Sequence, residues 1–176
     1  MSLKHILLAE DDPHDEELTL AALEEFHLAN QIFVVRDGEE ALDYLYRRGK
    51  FQTRVSGHPV AVLLDLKMPK VNGIEVLKII KSDEDLKTIP VVVLTSSREE
   101  PDLVECYRHG VNAYVVKPVD FGDFVQAVKQ LGVFWAAVNE PAPHVTKDAD
   151  PAQNLEVIYL GKKEVINEHT APDPAP

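Results

Sequence analysis

Val60-Ala61-Val62-Leu63-Leu64-Asp65-Leu66-Lys67-Met68-Pro69 is the stretch on which the fold turns. It opens as a short unbroken run of aliphatic residues and ends on an acid. A run that brief, rich in Val and Leu and without strict alternation, suits a strand covered on both faces. Four more runs of this kind lie at residues 3–9, 32–35, 91–94 and 113–116. The segments between them are amphipathic. Apolar runs alternating with amphipathic segments predict an α/β fold around a parallel sheet.

The intervening segments carry helix signals. Asp12-Pro13 supplies an N-cap with proline at the first helical position, and that helix runs to about residue 28. Asp37, with Glu40 three residues on, makes a capping-box-like start for a second helix, and Gly49 lies just past its end. A third helix starts near Gly73 and carries Val76, Leu77, Ile79 and Ile80. A fourth spans about residues 99–109, with Gly110 as its left-handed C-cap. A fifth covers roughly residues 120–138. Residues 139–176 differ: they hold six of the chain's twelve prolines and read as an acidic tail, with a short hairpin at 156–166 around Gly161-Lys162. The expected division is 1–138 for the domain and 139–176 for the tail.

Composition narrows the function. The net charge is −12 and no basic run is present, which opposes binding to nucleic acid or to an anionic membrane surface. The longest apolar runs are too short to span a bilayer. The lone Cys106 excludes an internal disulfide and fits a reducing compartment, so the cytoplasm is expected. The seven histidines lack ligand spacing and read as surface residues.

Ligands of open parallel sheets bind outside the carboxyl ends of the strands. Those ends read Glu10-Asp11-Asp12, Asp65, Thr95-Ser96-Ser97 and Lys117-Pro118. Each alone fits a cap or a turn. Together they set three acids, a hydroxyl and an ammonium on one rim, a set suited to a Mg²⁺-assisted phosphoacceptor. Asp11 and Asp65 offer hard oxygen ligands, and Glu10 can hold a metal-bound water. Lys117 and Thr95 can meet phosphoryl oxygens.

At these residues the chain resembles the response-regulator receiver family of two-component signalling. The resemblance is carried by Ile6-Leu7-Leu8-Ala9-Glu10-Asp11, Leu63-Leu64-Asp65-Leu66-Lys67-Met68-Pro69 through Asn72-Gly73, Val93-Leu94-Thr95-Ser96 and Ala113-Tyr114-Val115-Val116-Lys117-Pro118, over about residues 3–133. It implies a flavodoxin-like, doubly wound five-stranded sheet in order 2-1-3-4-5 with five helices. It implies a switch that is not an enzyme on external substrates. Asp65 would be the phosphoacceptor. Glu10, Asp11, Asp65 and the backbone carbonyl of Lys67 would hold Mg²⁺. Thr95 and Tyr114 would be the switch pair, and Lys117 the essential lysine, before a cis proline at Pro118. Val34-Val35-Arg36-Asp37-Gly38, Glu40-Ala41-Leu42-Asp43-Tyr44-Leu45, the long connection at 49–59 and Phe134-Trp135 are similar to stand-alone regulators serving phytochrome-type histidine kinases. The proline-rich tail departs from that subgroup.

On the last helix Phe121, Phe124, Val128, Leu131 and Trp135 form a core stripe. Phe134 and Val138 are left over, to be covered by a partner or by the tail. The expected partner surface is a homodimer through the fourth helix, fifth strand and fifth helix. Rival functions fit less well. A flavin carrier needs a phosphate loop after the first strand, where Glu10-Asp11-Asp12-Pro13 stands. An aspartyl-phosphate hydrolase typically has a second Asp two positions after its nucleophile, where Lys67 stands. A transcription factor needs a DNA-binding segment, and none follows residue 138.

Overall fold

The structure is a computed structural model and describes residues 5–24, 32–54, 57–117 and 120–135. In chain order the elements are β1 (Ile6–Ala9), α1 (Pro13–Glu24), β2 (Ile32–Val35), α2 (Gly38–Tyr46), a 3-10 turn at Gly49–Phe51, β3 (Ala61–Leu64), α3 (Gly73–Ser82), β4 (Val91–Thr95), α4 (Glu100–Arg108), β5 (Ala113–Val116) and α5 (Phe121–Val133). All strand pairs are parallel, as the apolar runs predict, and the order is β2-β1-β3-β4-β5, as the family resemblance implies. The expected cis bond before Pro118, the boundary at residue 138 and the hairpin at 156–166 lie outside the described residues. Among the described residues no helix is long and apolar enough to cross a membrane.

Alternate strand residues point to opposite faces of the sheet, which splits the core into two layers. Leu7, Ala9, Val62, Leu64, Val91 and Val93 pack against Ala41 and Leu45 of α2, Val76, Leu77 and Ile80 of α3, and Cys106 of α4. On the other face, Leu94 packs with Ala22 and Leu23 of α1 and with Phe124 and Val128 of α5, beside a patch of Ile6, Leu8, Leu63 and Val92. The central strands β1, β3 and β4 are buried throughout. Cover on both faces does not extend to the edges. In β2 only Val35 is buried, and every residue of β5 is half-buried, because an edge strand has a neighbour on one side only.

Local signals explain most element ends. The Asp12 carboxylate accepts from the amides of His14 (2.8 Å) and Asp15 (3.1 Å) and starts α1. Asp37 accepts from Glu40 N at 2.7 Å and starts α2. The second half of that capping box is displaced by one residue, since the Glu40 carboxylate accepts from Arg36 N (3.3 Å). The end of α2 also differs from expectation. Arg47, not Gly49, takes the left-handed cap, with φ 56°, and its N–H bonds back to Asp43 and Tyr44. Gly49 instead opens the 3-10 turn that carries buried Phe51 into the core.

Two glycines allow the loop after β3 to be clamped between helices. A Cβ on Gly73 would lie 2.2 Å from the Asp65 carbonyl oxygen, and one on Gly38 would lie 1.9 Å from the Val71 carbonyl oxygen. The starts of α2 and α3 thus press backbone against backbone on both sides of the 65–73 loop. Neither contact can relax by a rotamer change. Gly38→Ala and Gly73→Ala are each expected to cost about 1–3 kcal/mol of stability. Urea midpoints compared with wild type check this, and unchanged midpoints would contradict the packing.

Candidate functional site: an acidic rim closed by one lysine

Parallel register brings the strand ends level. Ala9 pairs with Leu64, so Glu10 and Asp65 emerge side by side, and Asp65 N donates to Ala9 O at 3.0 Å. Thr95 pairs with Val116, and Lys117 N donates to Thr95 O at 2.7 Å. Residues up to 107 positions apart in the chain therefore share one rim.

The carboxylates of Glu10, Asp11 and Asp65 each present an oxygen within 4.8 Å of the others. Glu10 is 1% exposed and Asp65 is buried, while Asp11 is half-buried. The Asp65 Oδ1 atom has no hydrogen-bond partner. A buried carboxylate oxygen left unpaired beside two other carboxylates is costly. It suits an oxygen-liganded divalent cation, so the residues present fit the metal that the sequence predicts. Leu66 and Met68 point into the core and fix the loop on either side of Lys67, whose side chain is exposed.

Lys117 lies across this rim. Its side chain is only 8% exposed, and Nζ donates to Glu10 Oε2 at 2.7 Å and to Asp15 Oδ2 at 2.6 Å. Asp65 Oδ1 is further away, at 3.9 Å. Burial alone pulls the ammonium pKa down, but the hydrogen bonds to Asp15 and Glu10 and the charge of Asp65 outweigh it and hold the pKa above the ordinary lysine value. For Glu10 burial wins. It raises the carboxyl from 4.5 to about 7 against the pull of Lys117, with the Asp65 charge adding to the rise.

Thr95 ends β4 fully buried, and its Oγ1 accepts from Ser97 N at 3.2 Å. Ser97 joins Thr95 to α4 and β5. Its hydroxyl donates to Asp102 Oδ2 of α4 at 2.7 Å, and its carbonyl accepts from the Tyr114 hydroxyl at 3.2 Å. The structure thus brings together Glu10, Asp11, Asp65 and Lys117, with Thr95 and Tyr114 linked through Ser97. Asp15 and Asp102 also belong to this network, and sequence reasoning did not single them out. Asp15 stands three residues after the N-cap Asp12, a spacing that reads as part of a helix start.

A five-stranded parallel sheet with an acidic rim and a lysine just beyond its last strand defines a class, and comparison with known proteins names it. The chain matches the response regulator receiver domain over residues 6–129 and belongs to that family. Response regulator Rcp1 of Synechocystis is 39% identical over 132 residues, covering 75% of this chain and 88% of Rcp1. The structure of Mn²⁺-bound Rcp1 superposes with a TM-score of 0.72 at 36% identity, over 80% of this chain and 99% of that one. Phosphorylated RcpA, a cyanobacterial phytochrome response regulator, gives a TM-score of 0.74 at 38% identity over 81% and 100% of the two chains. The bacteriophytochrome response regulator RtBRR is 60% identical over 81% of this chain and 86% of its own, with a TM-score of 0.65.

The Glu10 environment generates a pH dependence. Its folded-state pKa lies above its unfolded value, so it destabilises the fold as pH rises. The penalty is absent below 4.5, grows toward about 7 and is complete above. Its full size is about 3 kcal/mol. In metal-free buffer the stability of Glu10→Gln should therefore climb relative to wild type as pH is raised across this window. Urea midpoints of the two proteins at several pH values test it, and a constant difference would exclude the titration.

Proposed function

We propose that the chain is a single-domain response regulator that accepts a phosphoryl group from a sensor histidine kinase onto Asp65. The observation that carries this is the buried Asp65 Oδ1, which makes no hydrogen bond and lies close to two further carboxylates and 3.9 Å from the Lys117 ammonium. In the transfer, an Asp65 oxygen forms a bond to phosphorus as the bond from phosphorus to the kinase's histidine nitrogen breaks, and the imidazole leaves. Such a transfer calls mainly for positioning and charge neutralisation. Glu10, Asp11, Asp65 and the Lys67 carbonyl would hold Mg²⁺, which supplies positive charge against the phosphoryl oxygens. Lys117 provides the second cationic contact, and Thr95 donates its hydroxyl. The chain's chemistry is confined to its own phosphorylation and dephosphorylation, so it is a switch and not an enzyme on external substrates.

The donor we infer is a phytochrome-type histidine kinase in the cytoplasm. Support comes from the similarity to RcpA and to RtBRR. Output runs through protein contacts. Tyr114 adjoins Thr95 through Ser97, and Ser97 holds α4 through Asp102, so a change at Asp65 can reach the α4–β5–α5 face. That face carries exposed Leu103, Val104, Tyr107 and Phe134, a surface suited to a homodimer. The net charge of −12 opposes a competing route through nucleic acid or an anionic membrane surface.

Two outcomes test the proposal. Asp65→Asn should take up no phosphoryl group from acetyl phosphate with Mg²⁺ on intact-mass analysis, where wild type gains one; equal labelling would remove Asp65 from the role. Millimolar Mg²⁺ should raise the melting temperature of wild type, since a ligand of the folded form stabilises it, and Asp11→Ala should blunt the rise. For the dimer, sedimentation of wild type and Phe134→Glu with beryllofluoride should show association lost in the variant. A wild type monomeric at tens of micromolar would exclude that output.

A further inference from the structure

We propose that Asp15 is a lock on Lys117: it occupies the ammonium while Asp65 is free and competes with the phosphoryl group for it, setting the affinity of the site for that group. The inference rests on Asp65 being the acceptor.

The geometry is unequal. Lys117 spends its two short bonds on Asp15 (2.6 Å) and Glu10 (2.7 Å) and makes none to Asp65, 3.9 Å away. The two anionic partners are held very differently. Glu10 is sealed in the interior at 1% exposure, and its other oxygen, Oε1, accepts from Asp12 N at 3.2 Å. Asp15 is 31% exposed and can turn to water at little cost. It is thus the partner that can be given up.

The route by which Asp15 reaches Lys117 is also visible. A carboxylate at the third position of a helix ordinarily folds back onto the N-cap amide. Here the Asp12 amide is taken by Glu10, and Asp12 in turn accepts from the Asp15 amide at 3.1 Å. The Asp15 side chain is thereby turned away from its own helix start and onto the lysine. Its negative charge opposes an incoming phosphoryl group twice over, by direct repulsion and by sharing Lys117. Removing the charge while keeping the shape should therefore favour the phosphorylated state.

The test is a titration of the full chain with beryllofluoride in saturating Mg²⁺, followed by NMR. Asp15→Asn should bind about two- to fivefold more tightly than wild type, the range expected for a partly exposed ion pair. Asp15→Glu, which can still reach Lys117, should stay close to wild type. In a Lys117→Met background the Asp15→Asn gain should largely vanish, because the competition has lost its object. An Asp15→Asn protein that binds equally or more weakly overturns the lock, and so does a gain that persists undiminished without Lys117. Wild-type binding that survives in Asp65→Asn would instead defeat the acceptor assignment, and the lock with it. Wild-type binding abolished by Asp65→Asn, with no effect of Asp15→Asn, defeats the lock alone.

Discussion

The whole rim depends on one constraint: carboxylates brought into the interior must meet positive charge. Glu10, Asp11 and Asp65 sit close together at the carboxyl end of the sheet, and Glu10 is almost completely enclosed. Burying charge in this way is unfavourable unless it is paired. The Lys117 ammonium supplies the pairing, reaching from the end of β5 across to β1 and α1. Its satisfaction is incomplete. Asp65 Oδ1 keeps no hydrogen bond, and Glu10 retains a proton affinity well above that of a solvated carboxyl. The fold carries a local excess of negative charge at the place where the proposed chemistry requires a cation and a phosphoryl acceptor. Strain of this kind is tolerated because the surrounding strands are among the most buried parts of the molecule.

Two sets of contacts lead outward from that rim. One runs through the 65–73 loop. Leu66 and Met68 anchor it in the core, Gly38 and Gly73 let α2 and α3 close onto its backbone, and Lys70, in a left-handed conformation with φ 64°, pairs with Asp37 at 2.8 Å. This loop is pinned at several points and is suited to holding Asp65 still. The other set runs from Thr95 through Ser97 to Asp102 and Tyr114. It consists of single hydrogen bonds that lead from buried Thr95 and Ser97 to half-buried Asp102 and Tyr114, and it ends on the face that carries exposed Leu103, Val104 and Tyr107. A rigid floor beside a lightly bonded wall is a physical basis for a switch: charge added at the floor can be answered by rearrangement of the wall.

The apolar residues of α5 illustrate how the same helix serves core and surface. Phe124 and Val128 are buried against α1 and β4, and Leu131 and Trp135 lean on the sheet, while Phe134, one position from Trp135, is 47% exposed. Together with Asn112, Ala113, Val115, Ala127 and Gln130, the residues Leu131, Phe134 and Trp135 line a shallow cleft along the β5 edge. Among the described residues β5 is the last strand of the sheet, and the cleft runs along its outer edge.

Much of this architecture is legible in the sequence. Unbroken aliphatic runs at spacings that admit a helix between them specify parallel strands, since burial on both faces forbids alternation. Asp12, Asp37 and Gly110 mark element ends through bonds made within a few residues, so sequence spacing suffices. The order of strand ends places Glu10, Asp11, Asp65, Thr95 and Lys117 on one rim once the topology is assumed. Tertiary structure alone decided how those groups divide their bonds. The Asp12-to-Asp15 spacing looks the same whether Asp15 caps its own helix or reaches Lys117, 102 residues away, and only the capture of the Asp12 amide by Glu10 selects the second. Likewise Gly38 reads as an ordinary helix start, and its need to be glycine comes from the Val71 carbonyl pressed against it. Local periodicity reports which face of an element is buried; which partner a buried or half-buried polar group takes is set by long-range packing, where distance in the chain carries no information.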